Sequence, residues 1–381
     1  MPSVYIHFPF CRQKCTYCGF YSETRVALVH DFIAALKNEI CLRADFFGFK
    51  PFDTLYFGGG TPSLLHPSEI QDIINCIEEH FGLVEDAEIT LEANPNHLTE
   101  DYFQALRQTK VNRLSIGIQS FFDEDLKTIR RIHDGRQAEQ ALEWAIKYGY
   151  YNLSADLIYG LPGSTLSRWK ANLEKVAQLP HLSCYQLTVE EDSILYRQLG
   201  KGMIQLPDED AVEEQYCCLI DFVSVNGFLQ YEVSNFCKDN AFSRHNTAYW
   251  KDEPYLGLGP GAHGYQLDCR IYNFPNVSEY IRILSEIRTP EEWSRQERLL
   301  YEREMLTPAI KYNEYVMTSL RTCWGCDLNR IRLQWGEKYE QYLYGQLDKI
   351  DKNQYVINDT KLILTSQGLR FADGIAATLF M

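Results

Sequence analysis

The sequence lacks the features that mark several common classes of protein. It has no apolar run near the roughly 18 residues that a membrane helix needs, and no basic region followed by an apolar one at its start. It also lacks low-complexity tracts and internal repeats. With 37 Lys and Arg against 52 Asp and Glu, the net charge of −15 argues against a protein that binds nucleic acid by neutralising phosphates. We therefore expect a globular protein without a membrane span, a secretion signal or a nucleic-acid partner.

Cysteine, in contrast, is plentiful, with 12 residues in 381. Without a secretion signal, this number favours free thiols in a reducing cytoplasm over disulfides. Cys11, Cys15 and Cys18 stand in a C-x3-C-x2-C spacing. Three thiolates can hold a [4Fe–4S] cluster by three of its irons and leave the fourth iron open to another ligand. A zinc site, which usually takes four ligands from two separated pairs, and simple packing of three small apolar thiols are the alternatives.

Residues 1–190 alternate between short apolar runs rich in β-formers and longer helical patterns. Strands alternating with helices of this length predict an α/β fold with a parallel sheet and right-handed crossovers. Six such units favour a partial (β/α)6 barrel over a closed barrel of eight. The six predicted strands are Val4–Phe10, Thr54–Gly58, Glu88–Ala93, Arg113–Gln119, Leu153–Ile158 and Leu182–Val189.

The chain divides into three predicted parts. Residues 1–245 form the core, 246–300 a connecting segment with aromatic residues and a Gly-rich loop, and 301–381 a small C-terminal domain. In the last part helical patterns precede two short strand-like runs, which is typical of a winged helix. It carries 10 basic and 10 acidic residues, whereas a winged helix that binds DNA is normally basic. We expect it to act as a lid or as the contact surface of a homodimer.

Glycine and polar residues follow several of the predicted strands. The run Gly58-Gly59-Gly60-Thr61-Pro62 follows the second strand, and glycines at a strand end let the backbone approach a ligand closely. The absence of a following Lys excludes a P-loop. Taken singly, such residues are more simply explained as loop or barrel residues. Their recurrence at the carboxyl ends of strands predicts a polar site there, with candidate residues Glu92, Gln119, Arg131 and Asp156.

The cysteine spacing resembles that of the radical SAM superfamily, and further runs are similar to its oxygen-independent coproporphyrinogen III oxidase family. They lie within residues 4–264 and comprise Tyr5–Cys11, Gly58–Pro62, Glu92–Pro95, Gly117–Phe121, Asp156–Pro162 and Tyr185–Thr188. The resemblance implies that Cys11, Cys15 and Cys18 hold a [4Fe–4S] cluster whose open iron takes up S-adenosylmethionine. It also implies contacts to S-adenosylmethionine from Tyr5, Tyr17, Gly59, Gly60, Thr61, Glu92, Gln119, Arg131 and Asp156.

The chain departs from the oxidases of that family in two respects. The oxidases carry a fourth cysteine where this chain has Phe20, and they have a longer extension before the motif than the ten residues that precede Cys11. The run His245–Trp250 matches an H-N-x-x-Y-W motif, which resembles the heme chaperones of the same family. That resemblance implies heme binding and delivery of heme to acceptor proteins, with membrane-associated proteins among the candidates. A reductant such as a flavodoxin or ferredoxin would reduce the cluster.

His245 is the first candidate for heme contact, because a histidine can ligate heme iron and nearby aromatic rings can stack on the macrocycle. His7 and His263 are further candidates. The alternative is that His245 hydrogen-bonds a loop while Tyr249 and Trp250 pack into a core. The alternative function is oxidative decarboxylation of coproporphyrinogen III through a 5′-deoxyadenosyl radical, or radical chemistry on another substrate. The sequence leaves open whether the chain is an enzyme.

Overall fold

The computed structural model describes residues 2–44, 48, 51–191 and 193–381. Within these residues a twelve-stranded mixed sheet forms the main body, and a three-stranded antiparallel sheet lies in the C-terminal part. The six predicted strands are confirmed and pair in parallel in chain order. Their bounds are β1 Ser3–Phe8, β2 Phe52–Gly59, β3 Leu83–Ala93, β4 Arg113–Gln119, β5 Leu153–Tyr159 and β6 His181–Gln186.

The sheet continues beyond the six strands on both sides. Two short antiparallel strands extend it past β6, and on the other side one strand pairs in parallel with β1 and three more follow it antiparallel. The main sheet therefore crosses both predicted boundaries, at 245 and 300, and the three-part division stays a prediction. The added strands are β7 Leu229–Gln230, β8 Asn235–Cys237, β9 Tyr255–Leu258, β10 His263–Tyr265, β11 Cys269–Asn273 and β12 Tyr301–Met305.

Several of the helices that connect the parallel strands begin with recognisable capping residues. α2 begins with a capping box between His66 and Glu69, and its isoleucines at 70, 73, 74 and 77 form one buried stripe. α5 begins with a capping box between Asp134 and Gln137. The helices before residue 300 are α1 Val29–Leu42, α2 Pro67–His80, α3 Glu100–Leu106, α4 Asp123–Thr128, α5 Gly135–Lys147, α6 Leu166–Val176, α7 Ile194–Gly200, α8 Glu209–Val225, α9 Arg244–Trp250, α10 Val277–Glu286 and α11 Pro290–Gln296.

The C-terminal part has its own hydrophobic core. The order helix, strand, helix, helix, strand, strand confirms the predicted winged-helix-like α+β arrangement, and the sheet order is β13-β15-β14. β13 has only two residues, which is too few to give a recognisable strand pattern in the sequence. No helix in the described part of the chain has both the length and the apolar character of a membrane span. The elements are α12 Pro308–Leu320, β13 Cys326–Asp327, α13 Leu328–Trp335, α14 Glu337–Leu347, β14 Tyr355–Asn358, β15 Lys361–Leu364, α15 Ser366–Leu369 and α16 Ala372–Thr378.

Side chains along the parallel strands alternate between an apolar face and a polar face, and both faces are buried. On β3, for example, Ile89 and Leu91 belong to the main hydrophobic core, whereas Glu88, Thr90 and Glu92 stand on the opposite face. Successive side chains of a strand point to opposite sides of the sheet. The apolar sides therefore pack under the helices, and the polar sides line the interior of the partial barrel.

A buried ion pair connects α1 to the β9 side of the sheet. Arg43 Nη1 lies 2.9 Å from Glu39 Oε1 and also donates to the carbonyl of Gly257. Glu39 Oε2 accepts hydrogen bonds from the Gly259 N–H at 2.9 Å and from the Tyr280 hydroxyl at 2.6 Å. Both charged side chains are almost fully buried. The network therefore holds β9, which is paired with β1, against the outer helices α1 and α10.

We expect Glu39→Gln to lower the free energy of unfolding by about 3 to 5 kcal/mol, because it removes a buried negative charge that faces the buried guanidinium of Arg43. The midpoint of urea unfolding measures this. The control is Glu279→Gln, which removes the exposed pair with Arg282 and should leave the midpoint unchanged. Equal effects of the two substitutions would contradict the assignment.

Candidate functional site

A cavity of about 860 Å³ lies in the barrel interior and opens at the carboxyl ends of the parallel strands. It brings together all thirteen predicted site residues, although their individual contacts to a cofactor stay predictions. His7 and His263, the further heme candidates, are not among its lining residues. The thirteen are Tyr5, Cys11, Cys15, Tyr17, Cys18, Gly59, Gly60, Thr61, Glu92, Gln119, Arg131, Asp156 and His245.

Backbone hydrogen bonds and an apolar contact hold the loop that carries the three cysteines, both at its base and along its length. At the base, the Cys11 N–H donates to the carbonyl of Glu23, and the Glu23 N–H donates to the carbonyl of Pro9. Midway, the Thr16 N–H donates to the carbonyl of Ile129 at 3.1 Å. Next to it, Tyr17 packs against a small apolar cluster that includes Ile129. These contacts fix where the thiols face the cavity.

The three thiols fit a [4Fe–4S] cluster better than a single metal ion. Their sulfur atoms do not all lie within 4.8 Å of one another, which is too open for the ligands of one tetrahedral zinc. Thr61 Oγ1 donates to Cys11 Sγ at 3.3 Å and Arg131 Nη1 to Cys15 Sγ at 3.7 Å. Hydrogen bonds of this kind tune the sulfurs of a cluster. Burial raises the pKa of Cys18 to about 11, so binding a cluster there would release its proton.

The glycine run packs its backbone directly against β1. A Cβ on Gly60 would lie 2.6 Å from the carbonyl oxygen of Phe10 and 2.8 Å from that of Phe8. Gly59 has φ +103° and would place a Cβ 2.6 Å from the ring of His7. Only glycine fits these two positions. The run therefore brings bare backbone to the cavity beside the cysteine loop.

Two buried carboxyl groups face the cavity from neighbouring parts of the barrel. Glu92 Oε1 accepts a hydrogen bond of 2.8 Å from the Tyr56 hydroxyl, and burial raises the pKa of Glu92 to about 7. Asp156 accepts a hydrogen bond of 3.0 Å from Ser115, and burial raises the pKa of Asp156 to about 6. A raised carboxyl pKa in a cavity marks a group whose burial outweighs the partners that the protein gives it. The pair suits a ligand that carries positive charge.

Arg131 and Gln119 complete the same wall. Arg131 Nη2 donates to the carbonyl of Gly117, while its buried Nε has no partner in the structure. Gln119 has φ +66° where the register between β4 and β5 shifts. A buried unpaired donor and a backbone in the left-handed region are both features that functional sites retain. The cavity wall thus offers polar atoms that the protein does not use internally.

His245 lies in the floor of the cavity and is 2% exposed. Its Nδ1 is 2.6 Å from Thr54 Oγ1 and its Nε2 is 2.8 Å from the Tyr249 hydroxyl. Its ring stacks on Tyr56 with centroids 4.8 Å apart. Burial lowers the pKa of His245 to about 3, so the ring is neutral. Both ring nitrogens therefore have partners within the protein, one on β2 and one on α9 itself rather than in a loop.

Sequence reasoning missed further polar residues that line the cavity, among them Tyr56, Arg113, Ser115 and His181. They stand on the interior face of β2, β4 and β6. His181 Nε2 is 2.8 Å from the Tyr231 hydroxyl, and Arg113 Nε is 4.0 Å from Glu88. The available signal was the alternation of polar and apolar residues within strands that are buried on both faces.

We expect Gly60→Ala to lower the iron content per chain, because the new methyl group pushes the glycine run away from Phe10 and the adjoining Cys11. Overpacking of this kind typically costs about 1 to 3 kcal/mol. Iron analysis and an unfolding midpoint measure the two effects. Gly345→Ala is the control, because a Cβ at this position in α14 meets nothing within 4 Å. Unchanged iron in Gly60→Ala would contradict a role of the glycine run in shaping the site.

Comparison with known proteins agrees with this geometry. The Radical SAM superfamily model matches residues 5–176. A heme chaperone HemW from Lactococcus lactis is 32% identical over 98% of this chain and 96% of its own length. A second, from Mycobacterium tuberculosis, is 32% identical over 99% of this chain and 94% of its own.

Among solved structures, coproporphyrinogen III oxidase (HemN) from Escherichia coli aligns with 100% of this chain and 90% of its own, with a TM-score of 0.84. At 24% identity this match supports the fold alone. The matches to the two HemW proteins, by contrast, are at 32% identity and cover 98% and 99% of the chain. The chain belongs to the radical SAM superfamily and, within it, to the family of the heme chaperones HemW.

Proposed function

We propose that this protein binds a [4Fe–4S] cluster, S-adenosylmethionine and heme, and that it delivers heme to acceptor proteins. The observation that carries the proposal is the similarity to heme chaperones along nearly the entire chain. Membership in the radical SAM superfamily implies the cluster and S-adenosylmethionine. In the cavity, the three thiols would hold the cluster. Glu92 and Asp156 would attract the positive charge of S-adenosylmethionine, and the glycine run would bind it through the backbone.

Phe20 supports a chaperone over an oxidase. It occupies the position at which the oxidases of the family carry a fourth cysteine, and its ring is 68% exposed at the cavity mouth. A phenyl ring cannot ligate iron. An exposed aromatic ring can instead stack on a flat apolar macrocycle, which suits a protein that holds heme and releases it.

The three candidate histidines differ in how readily they could reach heme iron. Nδ1 of His7 is 3.2 Å from the Tyr5 hydroxyl and its Nε2 is 2.9 Å from the Tyr21 carbonyl. His245 would have to give up its contact with Tyr249. His263 is exposed on β10. We therefore favour His263 as the residue that would ligate heme iron and keep His245 as the alternative within the same proposal.

The same protein would act in the cytoplasm with several partners. All twelve cysteines are free thiols, which supports action in the reducing cytoplasm. The resemblance to heme chaperones supports heme-acceptor proteins, membrane-associated ones among them, and a flavodoxin or ferredoxin as reductant. Pairing of two chains through the C-terminal part belongs to the same set of proposals.

The decisive experiment compares two activities of one anaerobic preparation that carries its cluster. Titration with heme, followed by the Soret band, is expected to saturate at a fixed number of hemes per chain. Incubation with coproporphyrinogen III, S-adenosylmethionine and a reductant is expected to yield no vinyl product over many turnovers. The preparation should then pass its heme to an apo-acceptor protein. Multiple turnovers of decarboxylation, or the absence of heme binding, would falsify the proposed function.

For the heme ligand, we expect His263→Ala to weaken heme binding at least about tenfold, or roughly 1.4 kcal/mol, and to shift the Soret band. His245→Ala should leave the band in place, because its ring is occupied by Thr54 and Tyr249. His30→Ala, an exposed histidine on α1, is the control. A shifted band in His245→Ala together with an unchanged one in His263→Ala would return the ligand to His245.

Binding of S-adenosylmethionine should depend on pH through Glu92. Its pKa of about 7 means that the carboxyl group is ionised above pH 7 and loses its charge as the pH falls. The dissociation constant should therefore rise about tenfold between pH 8 and pH 6. Calorimetry on the protein with its cluster measures this. Glu92→Gln should bind more weakly at pH 8 and lose most of the change, and an equal pH dependence in this variant would exclude Glu92.

A further inference from the structure

A second group of metal-type ligands lies outside the cavity, between α1 and α2. Cys41 stands in the last turn of α1, and Cys76 and His80 stand four residues apart in the last turns of α2. Residues at this spacing share one face of a helix. Cys41 Sγ is 3.1 Å from His80 Nε2, and the three ligand atoms all lie within 4.8 Å of one another. In the described part of the chain this is the one group of histidine, cysteine and acidic side chains that meets so closely.

We propose that Cys41, Cys76 and His80 form a zinc site, with water as the fourth ligand. Two thiolates and an imidazole are the donors that Zn²⁺ prefers. Zinc bonds of about 2.0 to 2.3 Å in a tetrahedron separate the ligand atoms by about 3.5 to 3.8 Å, which the observed grouping already approaches. Cys41 is exposed, so a water molecule can reach the remaining position.

The surroundings of the group favour a cation. Cys41 and His80 lie at the carboxyl ends of their helices, where the unpaired carbonyl groups carry partial negative charge. The Cys76 thiol is half-buried and points along the α1–α2 contact, with its sulfur 4.0 Å from the carbonyl of Lys37. A disulfide between the two cysteines would use the same thiols, but it is disfavoured in a reducing compartment and would leave His80 without a role.

The site is separate from the cluster loop. In a β/α unit the helix runs back along its strand, so the last turns of α1 and α2 lie at the amino ends of the parallel strands. Cys11, Cys15 and Cys18 lie at the carboxyl ends. A metal here would tie together the helices that follow β1 and β2, the strands whose loops carry the cysteines and the glycine run. The proposal does not rest on heme binding.

The test measures zinc and iron per chain in the full-length protein, purified anaerobically with its cluster from cells supplied with zinc. We expect about one zinc per chain after a mild chelator wash. Cys41→Ser, Cys76→Ser and His80→Ala should each lower zinc at least about fivefold and leave iron unchanged. Cys15→Ser should instead lower iron and leave zinc unchanged. Cys217→Ser and His30→Ala, an exposed thiol and an exposed imidazole elsewhere, are the matched controls and should keep both metals.

Zinc-edge X-ray absorption on the same material identifies the ligands without interference from iron. Two sulfur and two nitrogen or oxygen neighbours are expected. Zinc that is absent, that survives all three substitutions, or that has three or four sulfur neighbours overturns the proposal. A Cys41–Cys76 disulfide in the anaerobic protein, found by peptide mass spectrometry, or copper(I) in place of zinc, overturns it as well.

Discussion

The burial of charged side chains inside a partial barrel is the constraint on which the rest of the structure depends. β3 and β4 turn Glu88 and Arg113 inward, and both are almost fully buried. Removing such groups from water costs several kcal/mol each unless they are paired and hydrogen-bonded. Glu88 is hydrogen-bonded mostly by α9. The first two N–H groups of that helix, those of Arg244 and His245, donate to the Glu88 carboxylate at 3.1 and 3.0 Å. The floor of the barrel is therefore complete only when α9 is docked.

The floor and the mouth of the cavity differ in how their polar groups are satisfied. At the floor, the ring nitrogens of His245 are both hydrogen-bonded. At the mouth, Glu92 and Asp156 keep raised pKa values and the Arg131 Nε has no partner. A buried donor without a partner, and carboxyl groups whose burial disfavours their charge, are destabilising in a well-ordered fold, so their retention suits a ligand that pairs them. The polar groups at the floor of the barrel therefore stabilise the fold, whereas those at the mouth remain available to a ligand.

The sequence predicted the parts of this arrangement that depend on local patterns. The strands β1–β6 follow from apolar runs separated by helical periods, and the cysteine loop and glycine run follow from residue type and spacing. β9 was missed because a four-residue strand carries little signal and its partner β1 is some 250 residues away in the chain. The setting of His245 could not be predicted either. It depends on Thr54 from β2 and Glu88 from β3, and no periodicity within residues 244–250 reports those contacts.

The position of α9, Arg244–Trp250, also gives the H-N-x-x-Y-W run a structural role that does not depend on iron. Its His245 end closes the barrel floor, while at its other end the Trp250 ring lies 5.6 Å from the guanidinium of Arg321 in the C-terminal part. Asn246 donates to the Tyr231 hydroxyl, and the Tyr231 carbonyl accepts from the Cys323 N–H. One short helix therefore joins the charged floor of the cavity to the C-terminal part. Because the Glu88 carboxylate accepts hydrogen bonds from the first N–H groups of α9, the packing of α9 against the C-terminal part bears on the floor of the cavity. The motif therefore links the floor of the cavity to the C-terminal part, and a contact of His245 with heme iron would require its ring to give up Thr54 or Tyr249.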